Sequence, residues 1–349
     1  MQKNTISAAE VARGLAGRAP ELVRELLPNG RKMGNEWVCG SLAGEPGRSL
    51  SVRLNGGKAG VWSDFSSTES GDALDVVACV LFGCDRKAAY RWGLSWLGYG
   101  GSAPEVEQRR QVDRQRAAER EREEAEERQR KIGRARALFG SAARLHPDDP
   151  VVAYLAGRGI RLSPERFPAS IRYHEAVWCH ERDRFLNAMV GAILSLSGEL
   201  IGVHITYLEW RDGGWKKARL QTAKRMMGSF SGGFIPLARG DSGRQLRAIE
   251  PTEELIIGEG VETCLSVAVC CPEYRVLCAC SLYNMGRVVL PDAVGRVLLL
   301  ADNDEGNAAA QAAFRKAVAA WKQKGVRVRE ARAPVGKDFN DTLAALGAS

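Results

Sequence analysis

Apolar residues recur at helical spacing from Ala8 to Leu27, and the run stops at Pro28-Asn29-Gly30. The pattern then changes to alternation. Ser49 to Leu54 and Ala59 to Phe65 flank Asn55-Gly56-Gly57, which predicts a hairpin because Asn-Gly supplies the positive φ angles of a tight turn. Gly71 to Val77 opens a further helix, with Asp72 as its cap. Apolar positions thin out between Pro104 and Arg136, where Glu124/Arg128, Glu126/Arg130 and Glu127/Lys131 sit at i,i+4. A solvated helix separating two domains, without the apolar stripe of a coiled coil, is predicted there. Tyr154 to Ile160 reads as a helix ending on glycine. Met189–Leu196 and Leu200–Leu208 flank the turn Ser197-Gly198-Glu199, and a second hairpin is predicted at Asp212-Gly213-Gly214. Beyond residue 250 alternation gives way to unbroken apolar runs, Leu255-Ile256-Ile257 and Val297 to Leu300, each followed by a helical stretch. Such runs suit strands buried on both faces of a parallel sheet in βαβ order.

Acidic residues close both runs: Gly258-Glu259-Gly260 after the first, Asp302-Asn303-Asp304 after the second. Strand ends of a parallel sheet line up at one edge, so Glu259, Asp302 and Asp304 are predicted to converge. Carboxylates crowded in this way repel one another unless a cation lies between them. A hard divalent ion, Mg²⁺ or Mn²⁺, takes oxygen ligands of this kind and leaves room for water and phosphate. Gly258 and Gly260 would let a phosphate approach the backbone. The alternative is that the acids cap helices at strand-to-helix turns. Upstream, Lys216, Lys217, Arg219, Lys224 and Arg225 form a basic cluster without acids. It is either a solvated surface or a phosphate-holding one.

The formal net charge of +8 favours a polyanionic partner. Among nine cysteines no CxxC pair occurs, and most read as small buried hydrophobes of a reducing compartment. The Met1-Gln2-Lys3-Asn4 start has no apolar signal core and no run reaches membrane-spanning length. A cytoplasmic protein without a membrane partner is expected.

The motifs Gly258-Glu259-Gly260-Val261-Glu262-Thr263, Asp302-Asn303-Asp304 and Lys337-Asp338-Phe339-Asn340-Asp341 resemble the Toprim domain. That Mg²⁺-binding module is shared by bacterial-type primases, type IA and II topoisomerases and some nucleases. The version most similar is that of primase-like proteins of phages and mobile elements. The resemblance implies Glu259, Asp302 and Asp304 as metal-binding acids and Asp338 as a further catalytic acid. Bacterial primases carry an acid where this chain has Thr263, and a second aspartate where it has Asn340. Residues 148–250 resemble the subdomain that precedes Toprim in mobile-element primases, which implies nucleotide- or nucleic-acid-binding roles for Arg158, His204, Lys217 and Lys224. Arg225 and Lys337 are added as neighbouring cations. Residues 1–100 are similar to the zinc ribbon of primases, but Cys39 has no partner ligands at zinc spacing, and all four histidines lie beyond residue 145. A metal-free ribbon held by Trp37, Trp62 and Phe65 is expected, with no zinc. Its aromatics, with Arg48, Arg53 and Lys58, either contact single-stranded template or serve only as core.

The expected architecture is mixed α/β and α+β. It comprises a ribbon-like domain (1–100), a charged helical linker (101–147), an antiparallel α+β subdomain (148–250) and a Toprim domain (251–349). The expected activity is DNA primase chemistry: Mg²⁺-dependent, template-directed synthesis of short primers from nucleoside triphosphates on single-stranded DNA. The sequence contains no Gly-x-x-x-x-Gly-Lys-[Ser/Thr] motif, so a replicative helicase is expected in trans. Two other readings are a Toprim nuclease using the same acids to activate water, and a DNA-binding replication accessory without catalysis.

Overall fold

The computed structural model describes residues 6–67, 69–100 and 103–346; the Met1–Asn4 start lies outside them. The chain divides into two compact units, residues 1–127 and 128–349.

In the first unit the predicted N-terminal helix is two helices, α1 (Ala8–Gly17) and α2 (Ala19–Leu26), broken at Arg18. Pro20 explains the break, since it has no N–H and its ring disfavours helical geometry just before it. Ser7 and Glu10 form a reciprocal capping box on α1. Five short strands follow, β1 (Arg31–Met33), β2 (Glu36–Cys39), β3 (Leu50–Arg53), β4 (Trp62–Asp64) and β5 (Ser70–Gly71), in an antiparallel sheet of that order. The predicted β3–β4 pairing is present, but a longer loop replaces the two-residue turn, with Gly56 and Gly60 both at positive φ. Asp72 caps α3 (Ala73–Leu81), which is followed by α4 (Arg86–Trp96). Trp62 is buried and Trp37 donates to the Leu27 carbonyl, whereas Phe65 is exposed and holds nothing together. The Cys39 thiol is buried, which pushes its pKa up to about 11. Seven cysteines are free, and Cys79 and Cys84 are joined in a disulfide.

Helix α5 (Ala103–Ser141) fills the charged stretch. Glu124 accepts from the Gly57 N–H rather than from an arginine one turn on, and Glu126 pairs with Arg122. Its last turns carry apolar residues that dock. Ile132 and Ala135 are buried, and Leu138 and Phe139 pack beside Ala135 on the sheet described next.

The second unit holds two sheets. The antiparallel one comprises β6 (Ala143–Arg144), β7 (Ile171–Cys179), β8 (Arg184–Leu194), β9 (Leu200–Arg211), β10 (Gly214–Lys217) and β11 (Lys224–Gly228). Its order is β10-β9-β8-β7-β6, with β11 pairing β9 beyond the end of β10. Helix α6 (Pro150–Ala156) leads into it. The hairpin β9–β10 turns on Asp212 and Gly213, both at positive φ, with Arg211 paired to Gly214; this is the two-residue geometry that suits strand twist.

The second sheet adds β12 (Ile235–Arg239), β13 (Glu254–Gly258), β14 (Arg275–Cys278), β15 (Arg296–Ala301) and β16 (Arg327–Arg332), in the order β12-β14-β13-β15-β16. All its pairings are parallel except that of β12, which is antiparallel and bulged at Pro236–Ala238. Helices α7 (Val261–Cys270), α8 (Leu282–Met285), α9 (Ala308–Gln323) and α10 (Phe339–Leu346) complete the unit. β13 and β15 are adjacent and in register through Ile257 and Leu299. Leu255, Ile257, Val297 and Leu299 bury one face against Phe314 and Trp321 of α9, while Ile256 and Leu300 bury the other against Val261 and Leu265 of α7. Both faces are covered, which is why these strands read as unbroken apolar runs. No helix among the described residues is long and apolar enough to cross a membrane.

Candidate functional site

Parallel pairing brings the ends of β13 and β15 to one edge of the sheet, so the residues that follow them share a cleft of about 360 Å³. Glu259, Asp302, Asp304, Asp338 and Lys337 line it from the parallel-sheet side, and Arg158, His204, Lys217 and Lys224 from the antiparallel side. Nine of the ten sequence-predicted residues therefore meet. The exception is Arg225. Successive residues of a strand face opposite ways, and Arg225 follows Lys224 on β11, so it lies on the other face, exposed beside Tyr207.

The loop bearing Asp338 is tied to the end of β15 by Asn303. Its N–H donates to the Lys337 carbonyl at 2.7 Å, and its Nδ2 to the carbonyls of Ala333 and Gly336, each at 2.9 Å. Asp338 accepts from the N–H groups of Asn340 (2.9 Å) and Asp341 (3.0 Å), so it caps α10 while it faces the cleft. Asn340, where bacterial primases carry an acid, is buried. Its Nδ2 donates to the Arg158 carbonyl (2.8 Å) and to Ser266 Oγ (3.0 Å). A carboxylate has no hydrogen to offer that carbonyl, so the carboxamide here joins α10 to α7 and to the segment after α6.

Glu262 is a functional candidate to which the sequence reading gave no role. It is only 4% exposed and lies on α7, one turn past Glu259. Tyr154 Oη donates to it at 2.9 Å, Lys224 Nζ at 2.8 Å, and Lys217 Nζ stands at 3.4 Å. Burial disfavours its charge, yet the two ammonium groups outweigh burial and hold it well below the usual carboxylate range. The same carboxylate acts unequally on the lysines. Burial pushes both down; at Lys224 the shorter contact overrides it and the net shift is upward, whereas Lys217, farther away, stays lowered. The only hint in the sequence was an acid two residues beyond Gly260 with lysines upstream, which reads equally as a helix-dipole acid.

At Asp302 and Glu259 burial and repulsion prevail. Burial raises Asp302 to about 6, with Asp338 and Asp304 adding repulsion, and burial with Asp302 raises Glu259. His204 is buried and its pKa lowered, first by burial, so it is neutral at pH 7. Arg158 Nε is buried with no hydrogen-bond partner among the described residues. Gly260, the N-cap of α7, makes no side-chain capping bond and lines the cleft. Gly258 serves packing instead of phosphate approach: a Cβ there would lie 2.5 Å from Cys264 Sγ.

The donor chemistry fits a hard divalent ion, since Glu259, Asp302 and Asp304 offer only carboxylate oxygens and are mutually repulsive without one. No three His, Cys, Asp or Glu side chains among the described residues are gathered closely enough to enclose an ion. An ion held by one or two carboxylates, with water or phosphate completing its shell, is the arrangement open to such a site.

Residues 254–349 match the Toprim domain family, and the C-terminal part of the chain is a Toprim domain. Residues 129–237 match a domain of unknown function (DUF7146). No curated protein sequence matches the chain. Among solved structures, the Aquifex aeolicus primase (zinc-binding and RNA polymerase domains) is similar at 12% identity and a TM-score of 0.41, over 95% of this chain and 82% of that one. The primase fragment of the bacteriophage T7 primase-helicase protein has 18% identity and a TM-score of 0.37, over 60% and 76%. The E. coli primase catalytic core has 15% identity and a TM-score of 0.42, over 61% and 75%.

Proposed function

We propose that this Toprim-containing chain is a primase-like nucleotidyltransferase, joining nucleoside triphosphates into short primers on single-stranded DNA. The observation that carries the reading is the cleft itself. It sets the strand-end acids of the Toprim domain against Arg158, Lys217 and Lys224 of the preceding subdomain. Phosphoryl transfer asks little covalent chemistry of the protein and much positioning and charge stabilisation.

Each part of the cleft then has a task. Arg158, whose buried Nε has no partner among the described residues, would bind the triphosphate. Glu262 would hold the ammonium groups of Lys217 and Lys224 at fixed points, so that they meet phosphate with little reorganisation. Mg²⁺ or Mn²⁺ held by Glu259, Asp302 and Asp304 would neutralise phosphate charge and lower the cost of the attacking and leaving oxygens. Asp338 would hold the α10 loop against this group through its capping bonds.

The test is incubation with single-stranded DNA, labelled nucleoside triphosphates and Mg²⁺. Short oligomers that require nucleotide, and that vanish in Glu259→Gln, are expected. Cleaved template without nucleotide dependence would assign the cleft to a nuclease, and binding with neither product to an accessory protein.

A further inference from the structure

The face of the antiparallel sheet that carries His204, Lys217 and Lys224 also carries four aromatic rings, one on each of four neighbouring strands. Trp178 on β7 is paired with Phe185 on β8, and Trp210 on β9 with Trp215 on β10. Phe185 and Trp210 each lie two residues beyond a cross-strand pair, Asn187 and Leu208, and so share its face. Trp215 is two residues from Lys217 along β10, so the row borders the cleft. Phe185 is 62% and Trp210 63% exposed, and Trp178 is partly so. A run of exposed aromatics of this kind marks an interaction surface.

The rings pack edge-to-face. Trp178 and Phe185 have centroids 5.1 Å apart at 70°, and Trp210 and Trp215 5.8 Å apart at 78°. Stacked rings hide their faces in each other, whereas a T-shaped pair leaves π-faces open. We infer that this row is a stacking platform for the bases of a single-stranded nucleic acid whose backbone continues into the cleft past Lys217. A single strand is chosen over a protein partner for two reasons: the platform is continuous with the cationic cleft, and every base offers a π-face without need of sequence. The direction of the strand toward the cleft rests on the primase-like reading; the stacking itself does not.

The full chain, titrated with single-stranded oligo(dT) and with duplex of equal length, should show quenching of tryptophan fluorescence by the single strand. The Phe185→Ala/Trp210→Ala variant should bind the single strand about tenfold or more weakly, with its salt dependence unchanged because no phosphate contact is lost. Phe185→Leu/Trp210→Leu keeps apolar area without a π-face and should bind as weakly as the alanine variant, while Phe185→Tyr/Trp210→Tyr should restore binding. Wild-type affinity in the alanine or leucine variant, absence of quenching, or quenching by duplex alone overturns the inference. Primer synthesis separates it from the function proposed above. Stacking without primers sinks only that function, and primers made by an alanine variant that binds template normally sink only the platform.

Discussion

Asp302 is placed against the ordinary preference of a carboxylate. It is partly buried beside Asp304 and Asp338, and its pKa stands at about 6. A carboxyl whose pKa is raised on folding destabilises the fold as pH rises through that value, because its charge is better tolerated in the unfolded chain. Asp302→Asn should therefore stabilise the unit at pH 7 by about 1 kcal/mol, with the effect reduced by partial exposure, and should abolish Mg²⁺-dependent activity. Thermal unfolding with and without Mg²⁺ checks both. The variant should melt a few degrees higher without metal and gain less from Mg²⁺ than the wild type does. A lower melting point would remove the case for repulsion. The strand-end position of Glu259, Asp302 and Asp304 was legible because apolar runs mark buried parallel strands, whose ends align. Glu262 was not, since nothing local tells that Tyr154, over a hundred residues upstream, donates to it. Arg225 was misplaced through its nearness to Lys224 in sequence, although the alternation of a strand already sent it to the opposite face.

Elements hold the site together through side chains that sequence patterns pass over. Asn340 is the clearest case, since its carboxamide joins α10 to Ser266 of α7 and to the carbonyl of Arg158. Asn340→Asp, which would recreate the acid of the bacterial primase pattern, should cost about 2–3 kcal/mol by burying a charge and leaving that carbonyl without its donor. Denaturant unfolding should show a lowered midpoint; an unchanged one would mean that the loop relaxes around the carboxylate. Hairpins and helix starts were read well where their cause is local: Asp212-Gly213 turns as its residues require, and Asp72 caps α3. Long-range causes were missed. The cross-strand meeting of Trp178 with Phe185, and the docking of Ile132 and Ala135 at the end of a charged helix, depend on partners remote in sequence.

Across the whole second unit, Glu262 connects the two sheets, reaching from α7 to Tyr154 on α6, Lys217 on β10 and Lys224 on β11. Its depressed pKa means that its stabilisation is fully present above the ordinary carboxylate range, near pH 4.5, and is lost as pH falls from there toward its folded value. Glu262→Gln should cost about 3 kcal/mol at pH 7, because two ammonium groups lose their counter-charge in a buried setting. The difference in stability between wild type and variant should shrink below pH 4; a gap independent of pH would assign the loss to packing instead. The borders of the parallel sheet have a different consequence. On one side β12 carries Pro236 and a bulge, and on the other β16 carries Arg327, Arg329 and Arg332. Proline withholds a donor from any incoming strand, and charged side chains on an edge strand hinder pairing with a second copy. Many copies of this chain at high concentration would therefore stand side by side without their sheets fusing into a fibre.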